Sequence, residues 1–134
     1  MTLVVDAGVV VAALVDAGPQ GRWAEKMLAS GPLAAPHLML AEAGNILHRA
    51  CLAGTLGADS AQLAHADLLT LRVVLFGYEP VAERAWSLRG AVTAYDACYV
   101  ALAEALDAPL ATIDLRLSRS QGPRCVFETP PATE

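Results

Sequence analysis

Four carboxylates stand in apolar surroundings: Asp6 in LVVDAGVVVAAL, Glu42 in LAEAGNIL, Asp96 in TAYDA and Asp114 at the end of LATID. A carboxylate in such a context is costly to bury unless something pairs with it. If the four approach one another, they raise one another's pKa or require a cation between them. Hard divalent ions take oxygen ligands, and Mg²⁺ keeps several waters free for a substrate phosphate. A carboxylate cluster holding Mg²⁺ or Mn²⁺ can activate water and stabilise the leaving oxygen in phosphodiester cleavage. Three of the acids also have a plainer reading. Asp6, Asp96 and Asp114 stand where helices start, and Asp is a common N-cap. Thr93 and Asp96 have the spacing of a capping box. Glu42 is different, because it lies inside a helical stretch, with Asn45 at i+3 on the same face. The remaining ten acidic residues, Asp16, Glu25, Asp59 and Glu83 among them, read as solvated surface charge.

The elements that must position these acids alternate in type. Short apolar strands are expected at 3–5, 33–35, 72–76, 110–113 and 125–127. Helices are expected from 9 to 14, 20 to 29, 36 to 53, 59 to 71, 79 to 88, 95 to 106 and 114 to 119. Leu63, Ala66, Leu69 and Thr70 fall near one helical face, and Tyr95, Cys98, Leu102 and Ala105 share a stripe. Strands alternating with helices indicate an α/β fold with a mainly parallel sheet. Ligands of such sheets bind beyond the carboxyl ends of the strands. Asp6 and Asp114 both stand there, and a helix starting on that side brings Asp96 to the same crevice.

The chain has 134 residues, 55% of them hydrophobic and 17% charged, which suits one globular domain. Residues 1–134 are read as a single unit whose tail, from about 128, is polar, Pro-rich and frayed. The net charge of −5 argues against a non-specific nucleic-acid binder, but not against a nuclease whose acidic site is neutralised by metal. Three widely spaced cysteines suggest buried free thiols rather than disulfides or zinc. His48 and Cys51, at i and i+3, lack two further ligands. The N-terminal apolar run has no basic flank and carries Asp6, so it does not read as a signal peptide. No apolar stretch is long enough to span a membrane. A cytoplasmic location is expected.

The segments LVVDAGVVVAAL, LAEAGNILHRA, TAYDACYVALAEAL and PLATIDLRLSR, taken in order, resemble PIN-domain proteins of the VapC type, the ribonuclease half of VapBC toxin–antitoxin pairs. The likeness runs from residue 3 to 119. It implies a three-layer α/β/α PIN fold and a metal-dependent endoribonuclease that acts as a toxin. Mg²⁺ or Mn²⁺ is the implied cofactor. The implied partners are an RNA substrate, a VapB-like antitoxin and a second copy of the chain in a homodimer. By the same resemblance the family's four acidic positions fall on Asp6, Glu42, Asp96 and Asp114. Asp6 and Asp96 are then the foremost metal ligands, Asp114 completes the cluster directly or through water, and Glu42 orients water or metal. Hydrolysis by in-line attack of activated water would leave a 5′-phosphate and a 3′-hydroxyl.

One departure matters. The family usually has Ser or Thr two residues after the first Asp, and this chain has Gly8. A backbone N–H there can replace the hydroxyl, since glycine allows close approach. Thr112 keeps a hydroxyl beside Asp114. Arg116 and Arg119 are candidates for RNA phosphates, because the guanidinium suits bidentate phosphate binding. Trp23 and Trp86 read as core or interface residues. Two rivals stand beside the nuclease: a non-catalytic PIN-fold module that binds RNA or a protein, and a phosphotransfer domain. The second wants a Lys near its Asp, and Lys26 stands in the wrong region.

Overall fold

The computed structural model describes residues 1–132. Its elements follow in the order β1 (Leu3–Val5), α1 (Ala7–Val15), α2 (Pro19–Leu28), β2 (Leu33–Pro36), α3 (Leu38–Leu52), α4 (Ala58–Thr70) and β3 (Val74–Phe76). A 3₁₀ turn (Glu79–Val81) leads into α5 (Ala82–Ser87), then α6 (Ala94–Ala105), β4 (Leu110–Ala111), α7 (Leu115–Ser118) and β5 (Phe127–Glu128). The five strands form one sheet in the order β3-β2-β1-β4-β5, and every pairing is parallel. The parallel α/β sheet read from the alternating pattern and the three-layer α/β/α arrangement implied by the resemblance are therefore the ones observed.

Leu3, Val4 and Val5 are all buried, as expected of a central strand covered on both faces. On one side α1 packs against α2, α3 and α4. On the other, α6 packs against α5 and against β1, β2 and β4. Residues 97–103 of α6 are buried without interruption, so this helix is enclosed rather than amphipathic. Cys98 and Leu102 lie in that core, while Tyr95 and Ala105 at the two ends of the expected stripe are exposed. The close crossing of α1 and α2 depends on a buried glycine. A Cβ at Gly21 would stand 1.8 Å from the Asp16 carbonyl oxygen.

Several boundaries differ from the sequence reading. Pro36 ends β2 instead of opening a helix. It pairs with Phe76, and the His37 N–H supplies the next bond, to the Phe76 carbonyl at 2.9 Å. The strand expected at 110–113 closes at Ala111, because Asp114 caps a helix and pulls the chain away from the sheet. The face of α4 bearing Leu63, Ala66 and Leu69 turns outward: Leu63 is 65% and Leu69 62% exposed, while Ala64 and Leu68 face the core. Trp86 is not a core residue either, being 64% exposed. Of the segment read as a frayed tail, Glu128 pairs with Ala111 in β5, and Thr129 and Pro130 are half-buried. Residues 133 and 134 lie outside the described part of the chain. All three cysteines are free thiols, with Cys98 buried and the others half-buried.

Candidate functional site

Val5 and Ala111 are neighbours in register at the carboxyl ends of β1 and β4. Asp6 follows directly, and its N–H still reaches the Ala111 carbonyl at 3.3 Å. Its Oδ1 accepts the Val9 N–H at 2.9 Å and so caps α1. Asp114 caps α7 in the same way, its Oδ1 accepting from the N–H groups of Arg116 at 2.9 Å and Leu117 at 3.2 Å. Between them stands Thr112, fully buried. Its hydroxyl oxygen accepts the Asp114 N–H at 3.0 Å, and the same hydroxyl lies near enough to the Asp6 carboxylate to favour its charged form. One side chain thus stands beside two of the acids. The capping reading of Asp6 and Asp114 is borne out, and the caps do not exhaust their carboxylates, because a cap uses one oxygen lone pair and leaves others.

Asp96 sits in the first turn of α6, where Thr93 accepts its N–H at 3.3 Å in the expected capping arrangement. Glu42 is half-buried on α3 and accepts the Tyr99 hydroxyl at 2.6 Å. The phenol thereby ties α6 to α3, with the Ala7 backbone at the start of α1 close enough to favour its charged form. Asn45 is exposed and makes no side-chain hydrogen bond among the described residues.

The electrostatics join the four acids. Burial pushes Asp6 up to about 6, and the charges of Asp96 and Glu42 add to the effect against the Thr112 hydroxyl and the Val9 N–H. Burial also raises Glu42, with Asp96 adding and the Tyr99 hydroxyl opposing. Asp96 is raised by burial and by Asp114, against Thr93 and the Arg116 charge. Burial and the Glu42 hydrogen bond hold the Tyr99 phenol far above its ordinary range, and Glu42 adds to the burial of the Cys98 thiol. Each carboxylate therefore lies in the field of at least one other. Among the described residues none of the four forms an ion pair with Lys or Arg.

This arrangement resembles the donor chemistry of a hard divalent ion: several oxygens, mutual repulsion and little protein countercharge. Among the described residues no three His, Cys, Asp or Glu side chains by themselves form a metal-holding group. Mg²⁺ typically takes only one or two carboxylates and fills its octahedron with water and substrate, so the residues present fit that mode. Asp96 and Asp114 line a cavity of about 430 Å³ together with Arg89, Thr93, Arg116 and Ser120. On the other flank of α6, a cavity of about 210 Å³ is lined by His37, Phe76, Tyr78 and Cys98. Sequence reasoning missed Tyr99, whose partner Glu42 is far away in the chain, and Arg89, which no motif marked.

Gly8 lies in the first turn of α1. A Cβ there would meet Ile113 at 3.4 Å and Asp6 Oδ1 at 3.5 Å, both ordinary contacts. The glycine is not required by crowding, and a serine hydroxyl would reach the carboxylate cluster.

Residues 3–122 match the PIN domain family. The chain is 42% identical over 123 residues to Ribonuclease VapC1 of Mycobacterium tuberculosis, covering 91% of this chain and 92% of that protein. It is 37% identical over 129 residues to Ribonuclease VapC9 of the same organism, covering 96% and 98%. Its fold also matches the crystal structure of VapBC2 from Rickettsia felis bound to a DNA fragment from their promoter. That match has a TM-score of 0.65 at 15% identity and covers 96% of this chain and 98% of that one. None of the described helices is long and apolar enough to cross a membrane. A family match over most of the length, joined to relatives of this identity and coverage, settles the descent: the chain belongs to the PIN-domain family, in its VapC branch.

Proposed function

We propose that this protein is a metal-dependent endoribonuclease toxin whose site is built from Asp6, Glu42, Asp96 and Asp114. The observation that carries the proposal is that the partly buried Asp6, Glu42 and Asp96 repel one another at the carboxyl end of the sheet, with the exposed Asp114 sharing a cavity with Asp96 and no cation ion-paired to the four among the described residues. The ribonuclease names of its relatives support the same reading. Asp6 and Asp96 would hold Mg²⁺ or Mn²⁺, with Asp114 contributing directly or through water. Bound there, the ion supplies an activated water and neutralises charge on the cleaved phosphate. Glu42, fixed by Tyr99, accepts a proton from attacking water at the carboxylate oxygen not held by the phenol. Thr112 keeps Asp6 and Asp114 in register.

The implied inhibitor is a VapB-like antitoxin, consistent with the toxin–antitoxin assemblies among its structural neighbours. The outward Leu63 and Leu69 face of α4 supports a homodimer, and mass measured in solution by light scattering tests it. The cytoplasm, where RNA is reached directly, is the proposed compartment. An RNA-cleavage assay with and without EDTA, run beside Asp96→Asn, tests the central reading. Cleavage that needs the metal and Asp96 supports it. Intact RNA with wild-type protein at millimolar Mg²⁺ and Mn²⁺ would reject it in favour of the binding module.

A further inference from the structure

The 430 Å³ cavity beside Asp96 and Asp114 has a second wall, made by the turn between α5 and α6. Arg89 stands on that wall. Its guanidinium carbon lies 4.6 Å from the centroid of the Trp86 ring, and its Nη1 donates to the Trp86 carbonyl oxygen at 3.0 Å. The side chain is therefore held at two points while Nε and Nη2 keep their hydrogens free. Among the described residues the ion pair of the molecule is Arg84 with Glu104, so Arg89 and Arg116, which line this cavity together, face it without a carboxylate partner. Trp86 leaves most of its indole in water, at the edge of the same turn.

An exposed tryptophan carrying an arginine is a surface cation–π pair. That description accounts for the contact but not for its place. Two guanidinium groups outside any ion pair share one cavity with Asp96 and Asp114, in a protein with a net charge of −5. A phosphodiester approaching these carboxylates is repelled unless positive charge is aimed at it, and Arg89 and Arg116 supply that charge on the cavity wall. A pre-organised guanidinium fork matches a phosphate bidentately. An indole face stacks an unpaired base whatever its identity.

We propose that Arg89, seated on Trp86, binds the phosphate next to the one cleaved, and that Trp86 stacks the base beside it. The single-stranded RNA then runs from the acids across the α5–α6 turn, rather than towards the apolar cavity on the other flank. The inference deepens the ribonuclease reading and rests on it.

The test reads binding, not cleavage. Affinity for a fluorescein-labelled single-stranded oligoribonucleotide of mixed sequence is measured by anisotropy across a salt series, in an Asp96→Asn background. Arg89→Ala should weaken binding about tenfold and lower the slope of log affinity against log salt by about 0.7, as expected for one phosphate contact on a single strand. Arg89→Lys should keep the slope while losing part of the affinity. Arg72→Ala, which removes the same charge at the amino end of β3, should move neither. In a Trp23→Phe background the fluorescence of Trp86 should be quenched by the RNA. If Arg89→Ala behaves like Arg72→Ala, or Trp86 emission is unmoved, the clamp is wrong even if wild-type protein cuts RNA. If the clamp signature is present but RNA stays intact with metal, the nuclease reading fails and the contact stands as an RNA-binding site. If no RNA binds, both fall.

Discussion

Glu104, near the end of α6, accepts hydrogen bonds from Arg84 Nε at 2.7 Å, Arg84 Nη2 at 3.2 Å and the Arg124 N–H at 2.7 Å. Asp96, near the start of the same helix, has its N–H capped by Thr93 and shares its surroundings with Asp6, Glu42 and Asp114. Burial disfavours the charge at both ends. At Glu104 the hydrogen bonds and charge of Arg84, with Arg124, outweigh it and hold the carboxyl below its usual range. At Asp96 the balance goes the other way, and the carboxyl is raised. One helix thus carries a carboxylate that pins α5 and the 122–125 segment to it, and another whose ionisation the fold opposes. Among the described residues arginines surround Glu104 while none is in ion-pair contact with the four acids, and that difference separates a carboxylate neutralised by the fold from four left without a protein counter-charge in contact.

The comparison breaks first on activity. Asp6→Asn keeps the N-cap acceptor, since Asn caps helices as well as Asp. It should lower RNA cleavage by roughly a thousandfold, in line with the loss of several kcal/mol of metal-assisted stabilisation, while raising the melting temperature at pH 7. Glu104→Gln should instead leave cleavage near the wild-type rate below its melting temperature while lowering that temperature. A stable, inactive Glu104 variant, or an unstable Asp6 variant, would erase the distinction.

The pH dependence of stability sharpens it. Asp6 has a folded-state pKa raised from 3.8 to about 6, so the stability tied to its proton is full below its ordinary value and is lost as pH rises through 6. Glu42 and Asp96 shift in the same direction. Glu104 is lowered, so its contribution is present above its ordinary value near 4.5 and is lost as pH falls through its folded value. Melting temperature should therefore rise from pH 7 through pH 5 and turn down only once pH falls well below 4.5, through the folded value of Glu104. Between pH 7 and pH 5 this limb is worth about 1.4 kcal/mol for Asp6 alone, and Asp6→Asn should flatten it in a calorimetric series.

Glu104→Gln should destabilise the fold by about 1–2 kcal/mol, the scale of charged hydrogen bonds that water partly screens. Chemical denaturation reads the loss directly. Millimolar Mg²⁺ or Mn²⁺ should add about 1 kcal/mol at pH 7 by binding the folded state. The gain should vanish at pH 5, where Asp6 is protonated, and persist in Glu104→Gln. Smallest of all, Gly8→Ser should gain about 0.5 kcal/mol from helix propensity and raise cleavage severalfold, because the hydroxyl enters beside Asp6 without a clash. A loss of activity there would show that the backbone N–H of Gly8 already fills that role.

What the sequence reveals of the site follows from local rules. Asp6 and Asp114 are legible because an apolar run, an acid and a helix start are contiguous in the chain. Asp96 is legible through Thr93, three residues away. Glu42 is legible only because a charged residue interrupts an apolar helix. The failures share a different cause. Tyr99 meets Glu42, and Arg84 meets Glu104, only after folding brings α6 against its neighbours, so neither pairing leaves a mark in local pattern. Glu104 consequently read as surface charge, although it is the acceptor of the one ion pair among the described residues. In α4 the apolar residues outnumber what one buried stripe needs, and only the packing partner decides that Ala64 and Leu68 face inward while Leu63 and Leu69 do not. Pro36 read as a helix opener because the strand it completes depends on Phe76, a partner distant in sequence.

The strand order β3-β2-β1-β4-β5 puts the first strand made in the middle and seats β4 beside it only after α6 has been made. A nascent chain therefore cannot bring Asp6, Asp96 and Asp114 together until α6 and β4 have both been made.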